Sequence, residues 1–178
     1  PVSDALAKES VSLVYQYLPR AVNNGMQDME AREQMANAAE LAGMAFGNTM
    51  LHLAHAIGHS MGAVLHQPHG LMVGQALPEV MEWIGEVYPK RISSLGVQIG
   101  VPLAEMGNTQ KAGKIVKKAL YRFYEEIGFP TLQDMGISLE EIMKAVPLVE
   151  KDGCFRFSPR SMDRRQIAES LRHIYERT

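Results

Sequence analysis

The chain has 178 residues, 46% of them hydrophobic and 21% charged, with a formal net charge of −2. That length can bury a core, and the composition is that of an ordinary globular protein. The near-neutral charge excludes the basic footprint of a nucleic-acid binder and gives no handle for an anionic membrane. One cysteine, Cys154, excludes an intrachain disulfide framework and leads us to expect a reducing cytoplasm.

The first residues, Pro1 to Glu9, are charged and amphipathic, unlike a secretory signal. They begin on Pro rather than Met, so we expect a fragment of a longer protein. Ser3 is placed to cap a first helix whose apolar positions Leu6, Val11, Leu13, Val14, Tyr17 and Leu18 share one broad side, ending before Pro19. A second helix should run from about Met29 through the Ala-rich Met35–Met44 region. The next, from about Asn48 to His66, must stop near Pro68. Leu71–Glu86 reads as a helix that tolerates Pro78 as a kink. Ile92–Ile99 and Lys111–Ile127 carry weaker helical patterns. Two capping boxes then mark helix starts: Ser138 with Glu141, and Asp163 with Gln166 ahead of a last helix to Tyr175. No segment alternates with period two, and no Asn-Gly or Asp-Gly hairpin turn appears. The expectation is one all-α unit over residues 1–178, a helical bundle.

Five of the six histidines, His52, His55, His59, His66 and His69, fall inside a 38-residue stretch, Leu41 to Pro78, that has no Asp, Glu, Lys or Arg. The stretch is long enough to span a membrane, but its five His, two Gln, two Pro, Asn, Thr and Ser argue against lipid and for the centre of a helical bundle. On one continuous helix from Asn48, at about 100° per residue, the rings of His52, His55, His59 and His66 fall within about 60° of arc. Ala54, Gly58 and Gly62 form a second stripe of small residues suited to close helix contact. His55 and His59, one turn apart, can reach a single metal ion. His69, between Pro68 and Gly70, sits on a bend that can bring its ring back towards them. The plainer reading is that each ring satisfies a backbone carbonyl or buried hydroxyl. Five imidazoles in an uncharged segment favour a metal or catalytic site instead, with its other ligands supplied from elsewhere.

These residues carry a resemblance. Gly47–Ala63 (Gly-Asn-Thr-Met-Leu-His-Leu-Ala-His-Ala-Ile-Gly-His-Ser-Met-Gly-Ala), Pro68-His-Gly70 and Leu77–Glu82 (Leu-Pro-Glu-Val-Met-Glu) resemble the helical domain of the iron-containing alcohol dehydrogenase family. Pro1–Ala7, Leu41–Phe46 and Phe157–Arg160 are similar to neighbouring family segments, so the likeness runs over the whole chain. It implies the C-terminal helical domain of a dehydroquinate synthase-like two-domain enzyme. His55 and His69 then match metal ligands, and His59 matches a further active-site histidine, a candidate proton relay. His52 and His66 match no ligand. The metal implied is Fe(2+), with Zn(2+) allowed by the same ligand types, and the nucleotide is NAD(P), held by an N-terminal domain. That domain, its Asp-x-x-x-His ligand motif and any G-x-G-x-x-G loop are absent from this sequence. Glu79, Ile84 and Ser158 depart from the family's usual residues, which puts substrate and cofactor details in doubt.

The activity implied is NAD(P)-linked interconversion of an alcohol with an aldehyde or ketone, with the chain inactive alone. The alternative is a stand-alone helical metal-binding or interaction module without redox activity. The partners expected are a small alcohol or aldehyde and the missing nucleotide-binding domain, with neither nucleic acid nor membrane; an apolar docking face leaves a homo-oligomer open. Lys111, Lys114, Lys118 and Arg122 read as a solvated basic stripe, and the twelve Met as core filler. Cys154 has no partner His in sequence and is not proposed as a nucleophile.

Overall fold

The computed structural model describes residues 1–102 and 109–177. Among the described residues there are nine α-helices and no strand. The first two, α1 (Val2–Asn24) and α2 (Met29–Phe46), pack as a hairpin. Its turn is fixed by Asp28, which accepts the Ala31 N–H at 3.0 Å and binds the Arg20 guanidinium through both oxygens, at 2.8 and 2.9 Å. Ser10, buried in the seam, donates to the Ala38 carbonyl at 2.8 Å.

Two expectations for α1 are corrected. The helix starts at Val2 without a side-chain cap, the Pro1 carbonyl taking the Ala5 N–H at 3.0 Å, so Ser3 is not its cap. It also continues through Pro19 to Asn24. Proline removes one helical donor, but packing along α2 supplies the stability that local propensity does not.

The core is built on α3 (Leu53–Leu65) and α4 (His69–Gly85), which carry the fully buried Leu53, Ile57, Met61, Met72 and Val80. On the other side of α4 lies α6 (Ala112–Glu126), with α5 (Pro89–Gln98) against it. Three more helices, α7 (Leu139–Met143), α8 (Val146–Val149) and α9 (Arg164–Glu176), close the core with Ile142, Val149, Ile167 and Leu171. Both capping boxes are formed: Ser138 accepts from Glu141 N–H, and Asp163 from Gln166 N–H. The segment before α9 is clamped to α4 by Arg160, which lies 3.5 Å over the Trp83 ring and donates to the Trp83 carbonyl at 3.1 Å. No helix among the described residues is long and apolar enough to cross a membrane.

The small-residue stripe does its packing at one position. A Cβ on Gly58 would lie 2.6 Å from Val73 Cγ2 and 2.8 Å from Val73 N and Cα, so α3 and α4 meet there backbone to backbone. On Gly62 the nearest contact would be an ordinary 3.5 Å, and tight packing is not its reason. Two opposite outcomes are expected in urea unfolding. Gly58→Ala destabilises by about 1–3 kcal/mol, because Val73 backbone cannot rotate away. Gly62→Ala is neutral or stabilises by up to about 1 kcal/mol through helix propensity. Equal effects at the two sites would contradict the packing described.

Methionine fills the core at Met61, Met72 and Met162, but Met26, Met29, Met44 and Met50 are exposed, which corrects the expectation that all twelve are core filler. Lys111, Lys114, Lys118 and Arg122 are exposed as expected.

Candidate metal centre

The histidine helix is shorter than its pattern suggested, and this reorganises the rings. Asn48 and Thr49 do not open α3. Their side chains instead donate back to the Met44 and Ala45 carbonyls at 2.9 and 3.2 Å, finishing α2. Met50 then takes φ 65°, and the chain enters α3 with His52 as its N-cap. At the other end His66 adopts φ 51° and stops the helix. The stripe of four imidazoles therefore reduces to two, His55 and His59, one turn apart. His66 is exposed. The His52 Nδ1 is buried and has no hydrogen-bond partner among the described residues.

His69 arrives as the bend foretold. Pro68, at φ −56° and ψ 135°, is the N-cap of α4, and His69 is its first residue. The three rings form a cluster, with centroids 5.6 Å apart for His55–His59, 5.5 Å for His55–His69 and 5.1 Å for His59–His69. Two imidazoles bound to one ion at about 2.1 Å with a tetrahedral angle place their centroids about 5 Å apart. All three spacings are close to that value, so the cluster as a whole is compatible with a shared ion. His69 is exposed and the His59 side chain is 37% exposed, so the cluster lies on an open face.

Burial holds His55 below the ordinary imidazole range, reinforced by His59, His69 and His52 and opposed by Asp152. A ring kept neutral is a ring ready to ligate. Burial also lowers His52.

The local sequence missed a second group. Asp152, on the segment after α8, places Oδ2 3.0 Å from His59 Nδ1, across 93 residues of sequence. Its Oδ1 accepts the Cys154 N–H at 2.8 Å. Cys154 thus has a histidine nearby after all: donor atoms of His59, Asp152 and Cys154 lie within 4.8 Å of one another, the arrangement of a candidate metal site among the described residues. Both Asp152 oxygens already accept hydrogen bonds, however, so these residues partner each other. Burial, then the Asp152 charge, push the Cys154 thiol up, away from the reactive thiolate.

Away from this face, Lys117 is buried between Glu79 at 2.5 Å and Glu82 at 2.8 Å, and the sixth histidine, His173, sets its Nδ1 3.0 Å from Glu79 Oε1. Neither Lys117 nor this network was anticipated.

An all-helical bundle with a cluster of three imidazoles on an open face can offer nitrogen ligands to a metal ion. Comparison with known proteins gives its family. The description Fe-containing alcohol dehydrogenase family, C-terminal, matches residues 1–175. The NAD-dependent methanol dehydrogenase of Bacillus methanolicus is 32% identical over 174 residues, 97% of this chain and 45% of the relative. The 1,3-propanediol dehydrogenase of Citrobacter freundii is 31% identical over 176 residues, 98% of this chain and 45% of the relative. The crystal structure of a 1,3-propanediol oxidoreductase superposes with a TM-score of 0.88 at 31% identity, over 98% of this chain and 45% of that one. An alcohol dehydrogenase from Oenococcus oeni gives 0.89 at 29%, with the same coverage of both chains. The chain belongs to the Fe-containing alcohol dehydrogenase family and has the fold of its C-terminal helical domain. It spans a little under half the length of these relatives.

Proposed function

We propose that this chain is the metal-binding helical half of a metal-dependent, NAD(P)-linked alcohol dehydrogenase, acting on a small alcohol or its aldehyde or ketone. His55 and His69 hold the divalent ion, Fe(2+) or Zn(2+), together with ligands from an N-terminal α/β domain that also binds the nucleotide. The observation that carries this reading is the cluster of His55, His59 and His69, with ring centroids 5.1–5.6 Å apart, within a chain of this family, and the resemblance chooses His55 and His69 as the ligands. The relatives' names support the substrate class, since they specify methanol, 1,3-propanediol and butanol, and support either nucleotide, since one is NAD-dependent and another NADPH-dependent.

Bound at this pair, the ion would act as a Lewis acid that acidifies the substrate hydroxyl. The chain's own residues do the rest of its half of the work. His55, kept neutral by burial, offers a lone pair without first losing a proton. His69, fixed as the first residue of α4 by Pro68, presents its ring to the same point from the adjoining helix. His59 lies beside both and takes the hydroxyl proton. The open face of the cluster is where the nucleotide domain docks and excludes water.

Metal content and NAD(P)-dependent oxidation of small alcohols, measured on this chain alone and on the chain joined to its nucleotide domain, test the proposal. Turnover is expected only from the joined protein. Robust turnover by the chain alone would contradict the half-enzyme reading. Tight metal binding with no turnover in either form would favour a stand-alone helical metal-binding module.

A further inference from the structure

Asp152 has no part in the reading above, yet it is the group that contacts His59 most directly. We propose that Asp152 is a positioning residue. It locks the His59 ring, when neutral, as the Nδ1–H tautomer, so that Nε2 carries a lone pair in a ring whose centroid lies 5.6 Å from that of His55 and 5.1 Å from that of His69. The consequence for substrate rests on the dehydrogenase reading, but the tautomer itself does not.

The chemistry of the acceptor sets the direction of the hydrogen bond. A carboxylate accepts and does not donate, so the proton on the 3.0 Å contact between His59 Nδ1 and Asp152 Oδ2 belongs to the imidazole. With that proton on Nδ1, a neutral ring has none on Nε2. This reverses the tautomer favoured by free histidine in water.

The carboxylate is itself held. Its other oxygen, Oδ1, accepts the Cys154 N–H two residues on at 2.8 Å, an Asx-turn that fixes the side-chain torsion. The Asp152 side chain is 18% exposed, so water competes weakly for the contact. The turn that carries it follows α8, which packs on α3, so ring and carboxylate sit on elements that are packed together. A charge-assisted bond to an oriented acceptor is the usual device for setting which imidazole nitrogen faces a site.

The chemical result is selective. At Nε2 an Nδ1–H imidazole offers an acceptor and no donor. It therefore favours an oxygen that brings a proton, such as an alcohol hydroxyl or a water, over a bare carbonyl or carboxylate. The Cys154 backbone, by holding Asp152, is the outermost link of the same chain.

Histidine ring nitrogens report this directly. The protein is labelled with ring-15N histidine, left metal-free and studied by long-range 1H–15N correlation at about pH 8, where unperturbed imidazoles are neutral. The expected spectrum shows His59, assigned by its loss in His59→Gln, protonated at Nδ1 and bare at Nε2. Asp152→Ala moves the ring to the Nε2–H form or to an average of the two, and Asp152→Asn moves it the same way, because its one amide oxygen is taken by the Cys154 N–H and its NH2 faces Nδ1 as a donor. A wild-type His59 protonated at Nε2, or an Asp152→Ala spectrum identical to wild type, would overturn the proposal. If the alanine variant does not fold, the wild-type tautomer still decides. No metal, nucleotide or substrate is present, so failure here is distinct from failure of the dehydrogenase reading.

Discussion

Alanine at His69 or at His55 is expected to abolish stoichiometric metal binding by the nucleotide-domain-bearing protein and to drop alcohol oxidation to background. Each substitution deletes one of the two imidazoles proposed to meet on the ion, 5.5 Å apart by ring centroid. Loss of an outer hydrogen-bond partner of a metal ligand typically costs about 10–100-fold in affinity or activity, and loss of a ligand should exceed that. His66 provides the contrast. It lies beyond the left-handed end of α3, exposed, and His66→Asn retains a residue type that tolerates its φ of 51°. That variant should keep full metal content. Metal quantification after gel filtration measures all three, and normal loading of the His69 variant would contradict the ligand assignment.

The second large effect lies away from the metal. Lys117→Met is expected to destabilise the fold by about 3–5 kcal/mol, because it strands Glu79 and Glu82 in a place built for a cation. Glu79 and Lys117 are both nearly buried, at 11% and 8% side-chain exposure. Burial works against the Lys117 charge, but the bonds to Glu79 and Glu82 outweigh it, and its pKa is raised above the ordinary lysine value. A raised folded-state pKa means that this stability is fully present below the unfolded lysine pKa and is lost as pH rises through the folded value. The cost of Lys117→Met should thus be level across neutral pH and shrink only in strong alkali. Lys117→Met combined with Glu79→Leu, which removes the stranded carboxylate as well, should recover most of the loss. Urea unfolding of the two variants checks both statements, and a cost under about 1 kcal/mol for the single change would show the network to be a surface-type ion pair.

Where sequence reasoning succeeded, the determinants were local. The four-residue step from His55 to His59 needs only a helix, and the Pro-His-Gly turn needs only Pro68 to end one helix and begin the next. The capping boxes at Ser138 and Asp163 are likewise complete within four residues. The failures have equally local or distinctly non-local causes. Extending α3 back to Asn48 overlooked that Asn and Thr side chains can finish the preceding helix, as Asn48 and Thr49 do for α2. Ending α1 before Pro19 weighted one missing hydrogen bond above the whole α1–α2 seam. Asp152 and Lys117 could not be assigned partners from pattern alone. Each is one charged residue among several, and its meaning comes from a contact 93 residues away in one case and 38 in the other. The absence of carboxylates near the histidines led us to expect further ligands from elsewhere; the carboxylate that does arrive from a distance, Asp152, bonds to His59.

Two sets of donors compete for any ion on this face: His55 with His69, and His59 with Asp152 and Cys154. Anomalous diffraction from crystals of the metal-loaded protein, recorded at the absorption edge of the bound metal, separates them in one measurement. The account predicts a single strong peak within about 2.2 Å of a ring nitrogen of both His55 and His69, with the His59–Asp152 hydrogen bond intact. A peak seated instead among His59, Asp152 and the Cys154 sulfur, or no peak on this face, would contradict it.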